Sequence, residues 1–304
     1  MPDNSCTIHS RVCVVSHDAG GAEIISSYIR QNGLECLYVL DGPAIKIFNR
    51  KLGQIKNNKL EDIIDNVGWI LCGTSWQSDL EWDAINLAKN NNVKSIAYLD
   101  HWVNYSARFI RNEETCLPDE IWVGDDYAKN IANNNFPDKE IKLVNNMYFD
   151  DLKNEIKKIS VYKENNNKVN ILYVCEPIRE YAFSKYGDEY FWGYVEEDAL
   201  RYFLNNIHLM IEEIAHILVR PHPSELAHKY DGIINEYDLP VERGGNRTLF
   251  EEVAASDIVV GCESMAMVIG LLAGKRVISC IPPGGSKCAL PQPEIEYLRD
   301  SIKS

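Results

Sequence analysis

The feature that most constrains this chain is an alternation repeated along its length. Short runs of β-branched and apolar residues are separated by stretches with helical spacing. In the first half the strand-like runs are Val12–Ser16, Cys36–Leu40, Trp69–Cys72, 95–99, Glu120–Val123 and 141–144, with helical patterns between them at 22–31 and 79–90. Runs of this kind are apolar at consecutive positions, which suits strands covered on both faces. Strands alternating with helices predict parallel sheets wrapped by helices, the α/β class. The pattern pauses over 153–168, a polar tract containing Asn165, Asn166 and Asn167, which reads as a linker. It restarts with strand 170–175, helix 196–213, strands 215–220 and 238–242, helix 248–255, strand 257–261, helix 264–273 and strand 276–281. At 304 residues the chain has the length of two domains. The expected architecture is two Rossmann-like doubly wound domains facing a cleft, spanning 1–152 and 169–304. Ligands of such sheets sit beyond the carboxyl ends of the strands.

Composition narrows the function. A formal net charge of -14 and the lack of a basic stripe argue against nucleic-acid binding. Of the nine cysteines, Cys13, Cys72, Cys175 and Cys280 fall inside apolar strand runs, where they act as small hydrophobes. No pair has CxxC spacing, so neither a zinc site nor a disulfide framework is expected. The N-terminal segment MPDNSCTIHSR has no apolar stretch resembling a signal peptide, and no apolar run reaches the ~20 residues of a transmembrane segment. The expectation is a cytoplasmic protein with no transmembrane segment.

Three strand ends carry chemistry. The first is Ser16-His17-Asp18-Ala19-Gly20-Gly21, where a strand runs into a glycine turn and a helix. His17 and Asp18 stand where a general base is needed, and Gly20 and Gly21 allow close backbone approach to a ligand. A plain helix cap at Asp18 is the alternative. The second is Arg220-Pro221-His222-Pro223-Ser224-Glu225. Two prolines fix the backbone around His222, whose imidazole can donate to a phosphate oxygen while Arg220 adds charge. The third is Gly261-Cys262-Glu263-Ser264-Met265, a strand end opening a helix whose free amides suit a phosphate. Small residues at Ala266 and Gly270 favour close packing of that helix on its sheet. Asp100-His101-Trp102 ends another strand, with Trp102 offering a face for sugar stacking, and Trp76 sits similarly. Asp125 and Asp126 read as helix caps, and no aspartate pair suggests a required metal.

An HP segment followed by a strand and then Gly-x-Glu-Ser before a helix resembles the second domain of GT-B glycosyltransferases. The likeness is to bacterial sialyltransferase-like and capsule-type enzymes of surface glycan biosynthesis. It implies that His222, Pro223 and Ser264 hold the cytidine monophosphate of a CMP donor, with Arg220, Gly261, Cys262, Glu263 and Met265 completing the donor site; a UDP-linked donor is the alternative. Gly20, Gly21, His101 and Trp102 would then line the acceptor site, for a glycan, a lipid-linked glycan or a protein. The implied reaction is metal-independent and needs no cofactor. It moves a sugar, of sialic-acid-like nonulosonate type, from its nucleotide to a hydroxyl, with Asp18 or His17 as base and His222 assisting the leaving group. A membrane-bound acceptor would place the enzyme peripherally at the inner membrane. Two other readings stand beside it: a nucleotide-sugar 2-epimerase or hydrolase on the same fold, and a non-enzymatic two-lobed ligand-binding protein.

Overall fold

Strand β1 (Val12–Ser16) is buried at every position, as its unbroken apolar run requires. The computed structural model describes residues 11–75, 78–159, 168–211 and 213–302. The chain divides into two compact units, Met1–Asp151 and Leu152–Ser304. In the first unit, β1 is joined by β2 (Cys36–Leu40), β3 (Trp69–Cys72), β4 (Lys94–Leu99), β7 (Glu120–Val123) and β8 (Glu140–Leu143), the strands β5 (Ile110–Arg111) and β6 (Glu114–Thr115) forming a small antiparallel hairpin apart. The sheet order is β2-β1-β3-β4-β7-β8, and all its pairings are parallel. The second unit contains β9 (Val169–Val174), β10 (Ile214–Arg220), β11 (Val241–Arg243), β12 (Ile258–Gly261), β13 (Arg276–Ser279) and β14 (Ile295–Tyr297). Their order is β11-β10-β9-β12-β13-β14, again parallel throughout. Each sheet is doubly wound. The winding reverses between β1 and β3 in one unit and between β9 and β12 in the other, the crevices where such sheets bind ligands.

The longer helices are α1 (Ala19–Asn32), α2 (Gly42–Leu52), α3 (Leu80–Asn90), α4 (Asp126–Asn135), α5 (Met147–Lys158), α6 (Ile178–Tyr186), α7 (Glu196–Asn206), α8 (Leu249–Ala255) and α9 (Met265–Leu272). Local chemistry fixes their ends. Gly33 stops α1 at φ 61°, a left-handed conformation that glycine adopts without a Cβ penalty. Asp41, Asp125 and Ser264 cap α2, α4 and α9 through their side chains, and Thr248 with Glu251 forms a capping box at α8. Cys13, Cys72, Cys175 and Cys280 are all buried thiols, and burial pushes the Cys13 thiol up to about 12.

Several boundaries differ from the sequence pattern. The expected linker at 153–168 begins inside α5, which runs to Lys158 on its amphipathic apolar positions Leu152 and Ile156; residues 160–167 lie outside the described residues. The expected helix 196–213 ends at Asn206 and tightens into a 3-10 turn over Ile207–Leu209. Pro240 delays strand β11 to Val241, and the strand expected at 276–281 closes at Ser279. Helix α2 and strand β14 have no counterpart in the pattern.

Gly270 shows how closely α9 lies on its sheet. A Cβ there would sit 2.9 Å from Val259 Cγ2 and 3.2 Å from Val277 Cγ2. Those β-branched strand residues cannot yield easily. Gly270→Ala is therefore expected to destabilise the protein by about 1–3 kcal/mol, although alanine is the better helix former. Urea unfolding checks this, and an unchanged or raised midpoint would show that the helix can move outward freely.

Candidate functional site

In the first unit, the switch point between β1 and β3 gathers acids. The His17 amide donates to Glu81 Oε1 at 2.7 Å, and His17 Nδ1 pairs with Asp18 Oδ1 at 2.7 Å. These side chains remain partly accessible, His17 at 19% and Asp18 at 24%. His17 Nε2 points at the start of α2: a Cβ on Gly42 would lie 2.6 Å from it. Glu81, from the first turn of α3, is 2% exposed and its Oε2 has no hydrogen-bond partner. Burial pushes its carboxyl up to about 7, with Asp18 adding a smaller push and the His17 amide opposing it.

Asp100 stands at the end of β4 and pairs with Arg108 Nη1 at 2.5 Å. The same nitrogen donates to Thr74 Oγ1 at 2.8 Å and to its carbonyl at 3.0 Å, tying the end of β3 to that of β4. Gly20 is needed here, since a Cβ on it would meet Asp100 Oδ2 at 1.9 Å. A Cβ on Gly21 would meet the Gly73 Cα at 3.2 Å. The two glycines thus allow the close packing of Asp100 and of the end of β3 against α1. Arg108 and Glu81 lie in stretches with no local signature, and only their contacts single them out.

His101 lies behind this edge, its Nδ1 buried without a partner, and burial lowers the pKa of its imidazole. Trp102 is 6% exposed, donates its indole N–H to Asp125 Oδ2 at 2.9 Å and packs edge-on against His101. The open stacking face expected of Trp102 is absent. Asp125 caps α4, as expected, accepting from the Ala128 amide at 2.7 Å. Trp76 lies outside the described residues.

In the second unit the HP segment forms a tight turn at the end of β10. The His222 amide donates to Glu225 Oε2 at 2.8 Å, and its Nδ1 meets Ser224 Oγ at 2.7 Å. Glu225 is in turn held by Lys229 Nζ at 2.9 Å and by the Tyr230 hydroxyl at 2.7 Å. Pro223 is exposed. Arg220 is committed elsewhere: its Nη1 donates to the buried carboxylate of Glu252 at 2.5 Å and to the Arg247 carbonyl at 2.9 Å. That ion pair engages Nη1 of Arg220, the residue expected to add charge at the donor site.

The third motif also differs from expectation. Gly261 packs against Val174, Cys262 is buried and Met265 opens α9. The amides of Cys262 and Glu263 donate to Glu176 Oε1 at 3.0 and 2.9 Å, so the chain supplies its own carboxylate where a ligand phosphate was expected. Ser264 Oγ accepts from Ala266, and Glu263 Oε2 accepts from the Ala289 amide at 3.0 Å. Glu176 lies two residues beyond β9, another acid at a strand end.

No family model matches this sequence, and no curated protein matches it. Solved structures do. The UDP-GlcNAc 2-epimerase from Methanocaldococcus jannaschii is 9% identical, with 97% of this chain and 92% of that chain covered at a TM-score of 0.60. The UDP-GlcNAc 2-epimerase from Neisseria meningitidis bound to UDP-GlcNAc is 13% identical, covering 96% and 90% at 0.58. The glycotransferase of kitacinnamycin is 12% identical, covering 97% and 84% at 0.55. This chain has a GT-B-type fold. At such identities the likeness concerns the fold, which in these neighbours serves both epimerases and glycosyltransferases. Among the described residues, no helix is long and apolar enough to cross a membrane.

Proposed function

We propose that this protein is an enzyme acting on a nucleotide-linked sugar, transferring it to an acceptor hydroxyl without a metal. The observation that carries the reading is the His17–Asp18 pair, held at the switch point of a GT-B-type chain by the hydrogen bond that the His17 amide donates to Glu81. Asp18 takes the acceptor proton as the acceptor oxygen bonds to the anomeric carbon. The bond from that carbon to the phosphate oxygen breaks, and the negative charge leaves with the nucleotide. His222, Ser264 and the start of α9 are the groups proposed to stabilise it. The N-terminal unit then serves the acceptor and the C-terminal unit the donor, with a CMP-linked nonulosonate as the favoured donor and a UDP-sugar as its competitor. A cytoplasmic site, peripheral at a membrane when the acceptor is lipid-linked, accompanies this reading.

A second reading is nucleotide-sugar 2-epimerisation or hydrolysis. It is favoured by the concentration of Asp18, Glu81 and Asp100 at one edge, which suits proton transfer on the sugar ring or activation of water. A thermal-shift screen with CMP, CDP, UDP, UMP, GDP and NAD tests both. Binding to the native state raises the melting temperature with ligand concentration over Kd. A selective rise with CMP supports nonulosonate transfer. A selective rise with UDP, together with turnover of UDP-sugar lacking any acceptor, supports the epimerase or hydrolase. Silence with every nucleotide removes the nucleotide-sugar reading.

A further inference from the structure

The switch point of the second unit contains a half-buried acid that the proposed chemistry does not use. Glu176 leaves the end of β9 and turns one oxygen onto the two consecutive amides that lead into α9. Consecutive amides before a helix carry partial positive charge and select an anion. Here the anion comes from the chain itself.

The described groups that bear most on the charge of Glu176 carry no positive charge. Facing it are Glu263 and Cys262 from the same loop, Cys175 beside it, Tyr194 ahead of α7 and Cys288 beyond β13. None of these is a cation. Burial pushes the Glu176 carboxyl up to about 7, the Glu263 carboxylate adds to that push, and the loop amides oppose it. A carboxylate in this place accepts from neutral backbone donors, and a doubly charged ligand oxyanion would compete for the same N–H groups.

We propose that Glu176 is a specificity-determining residue of the donor unit: ionised, it fills the amides of Cys262 and Glu263 and excludes ligand phosphate, which enters as Glu176 is protonated or turns away. The proposal rests on the reading of α9 as the donor-phosphate site. Phosphate binding is then linked to proton uptake. The neutral acid gives up the amides readily, whereas the carboxylate defends them and repels the incoming anion. Glu176 thus makes the donor unit discriminate by charge and by pH.

Inorganic sulfate is the decisive probe, because its charge is constant between pH 6 and 8. The full chain is titrated by NMR, following the amides of Cys262 and Glu263. If only protein with neutral Glu176 is competent, a group titrating near 7 makes wild-type affinity about tenfold weaker at pH 8 than at pH 6. Glu176→Gln, which keeps the shape of the side chain, should bind about tenfold more tightly than wild type at pH 8 and lose most of the pH dependence. Equal affinity at both pH values, or no sulfate response at the two amides in wild type at pH 6, overturns the proposal; the wild-type comparison stands even if the variant folds poorly. UDP and CMP are then added as competitors. Sulfate behaving as expected without competition from nucleotides leaves Glu176 in its role and removes the donor-site reading. Nucleotides that bind equally to wild type and Glu176→Gln at both pH values retain that reading and remove the role of Glu176.

Discussion

Arg220→Met is expected to lower the free energy of unfolding by about 2–4 kcal/mol, because it leaves the buried carboxylate of Glu252 without its cation. Glu252 is 3% exposed; one oxygen accepts from the Gly245 amide at 2.7 Å and the other from Arg220 at 2.5 Å. Removing the guanidinium retains the first bond and strands the charge. The double variant Arg220→Met/Glu252→Gln should recover most of the loss, since a neutral amide still accepts from Gly245 and no charge remains to be desolvated. Urea unfolding of wild type, both single variants and the double variant closes the cycle. The opposite pattern is informative. Arg220→Met with a wild-type midpoint and a loss of nucleotide-induced stabilisation would return Arg220 to the phosphate role that its position beside His222 suggests.

That contrast shows what a sequence of this kind reveals. The strand runs are legible because burial on both faces imposes an unbroken apolar pattern, and β1, β2, β3 and β7 end where the pattern ends. Helix α2 opens on Gly42-Pro43, residues of turn character, although its buried residues Ala44, Ile47 and Phe48 stand at helical spacing. The position of the candidate residues was also legible: His17, Asp18, Asp100 and His222 all lie just beyond strand ends. What a strand-end residue does there was not legible. It depends on partners far along the chain, such as Glu252, 32 residues from Arg220, or Glu176, 86 residues from Cys262. Long-range partners also decide whether an aromatic offers a free face. Trp102 has the right place in the sequence, yet Asp125 and His101 occupy its N–H and its edge.

Under the proposed chemistry, Asp18→Asn should lower turnover by about 10²–10⁴-fold with a small change in KM, since asparagine preserves the shape of the side chain but takes no proton. The geometry favours Asp18 over His17 as the base. His17 Nδ1 is spent on Asp18, and Nε2 faces Gly42 closely enough that a Cβ there would approach to 2.6 Å. His17 therefore orients Asp18, as the third member of a catalytic set orients the second. His17→Gln should then cost less than Asp18→Asn, and an Asp18→Asn/His17→Gln double variant little more than Asp18→Asn alone, because two residues acting as one unit do not add. Nucleotide release from CMP- and UDP-sugars, with and without acceptor, is the measurement. If His17→Gln proves the more damaging change, the base is the imidazole, and α2 must shift to free Nε2. If neither variant slows release, Asp18 is not the base, and Asp100 at the end of β4 and Glu81 in the first turn of α3 are the next acids to replace.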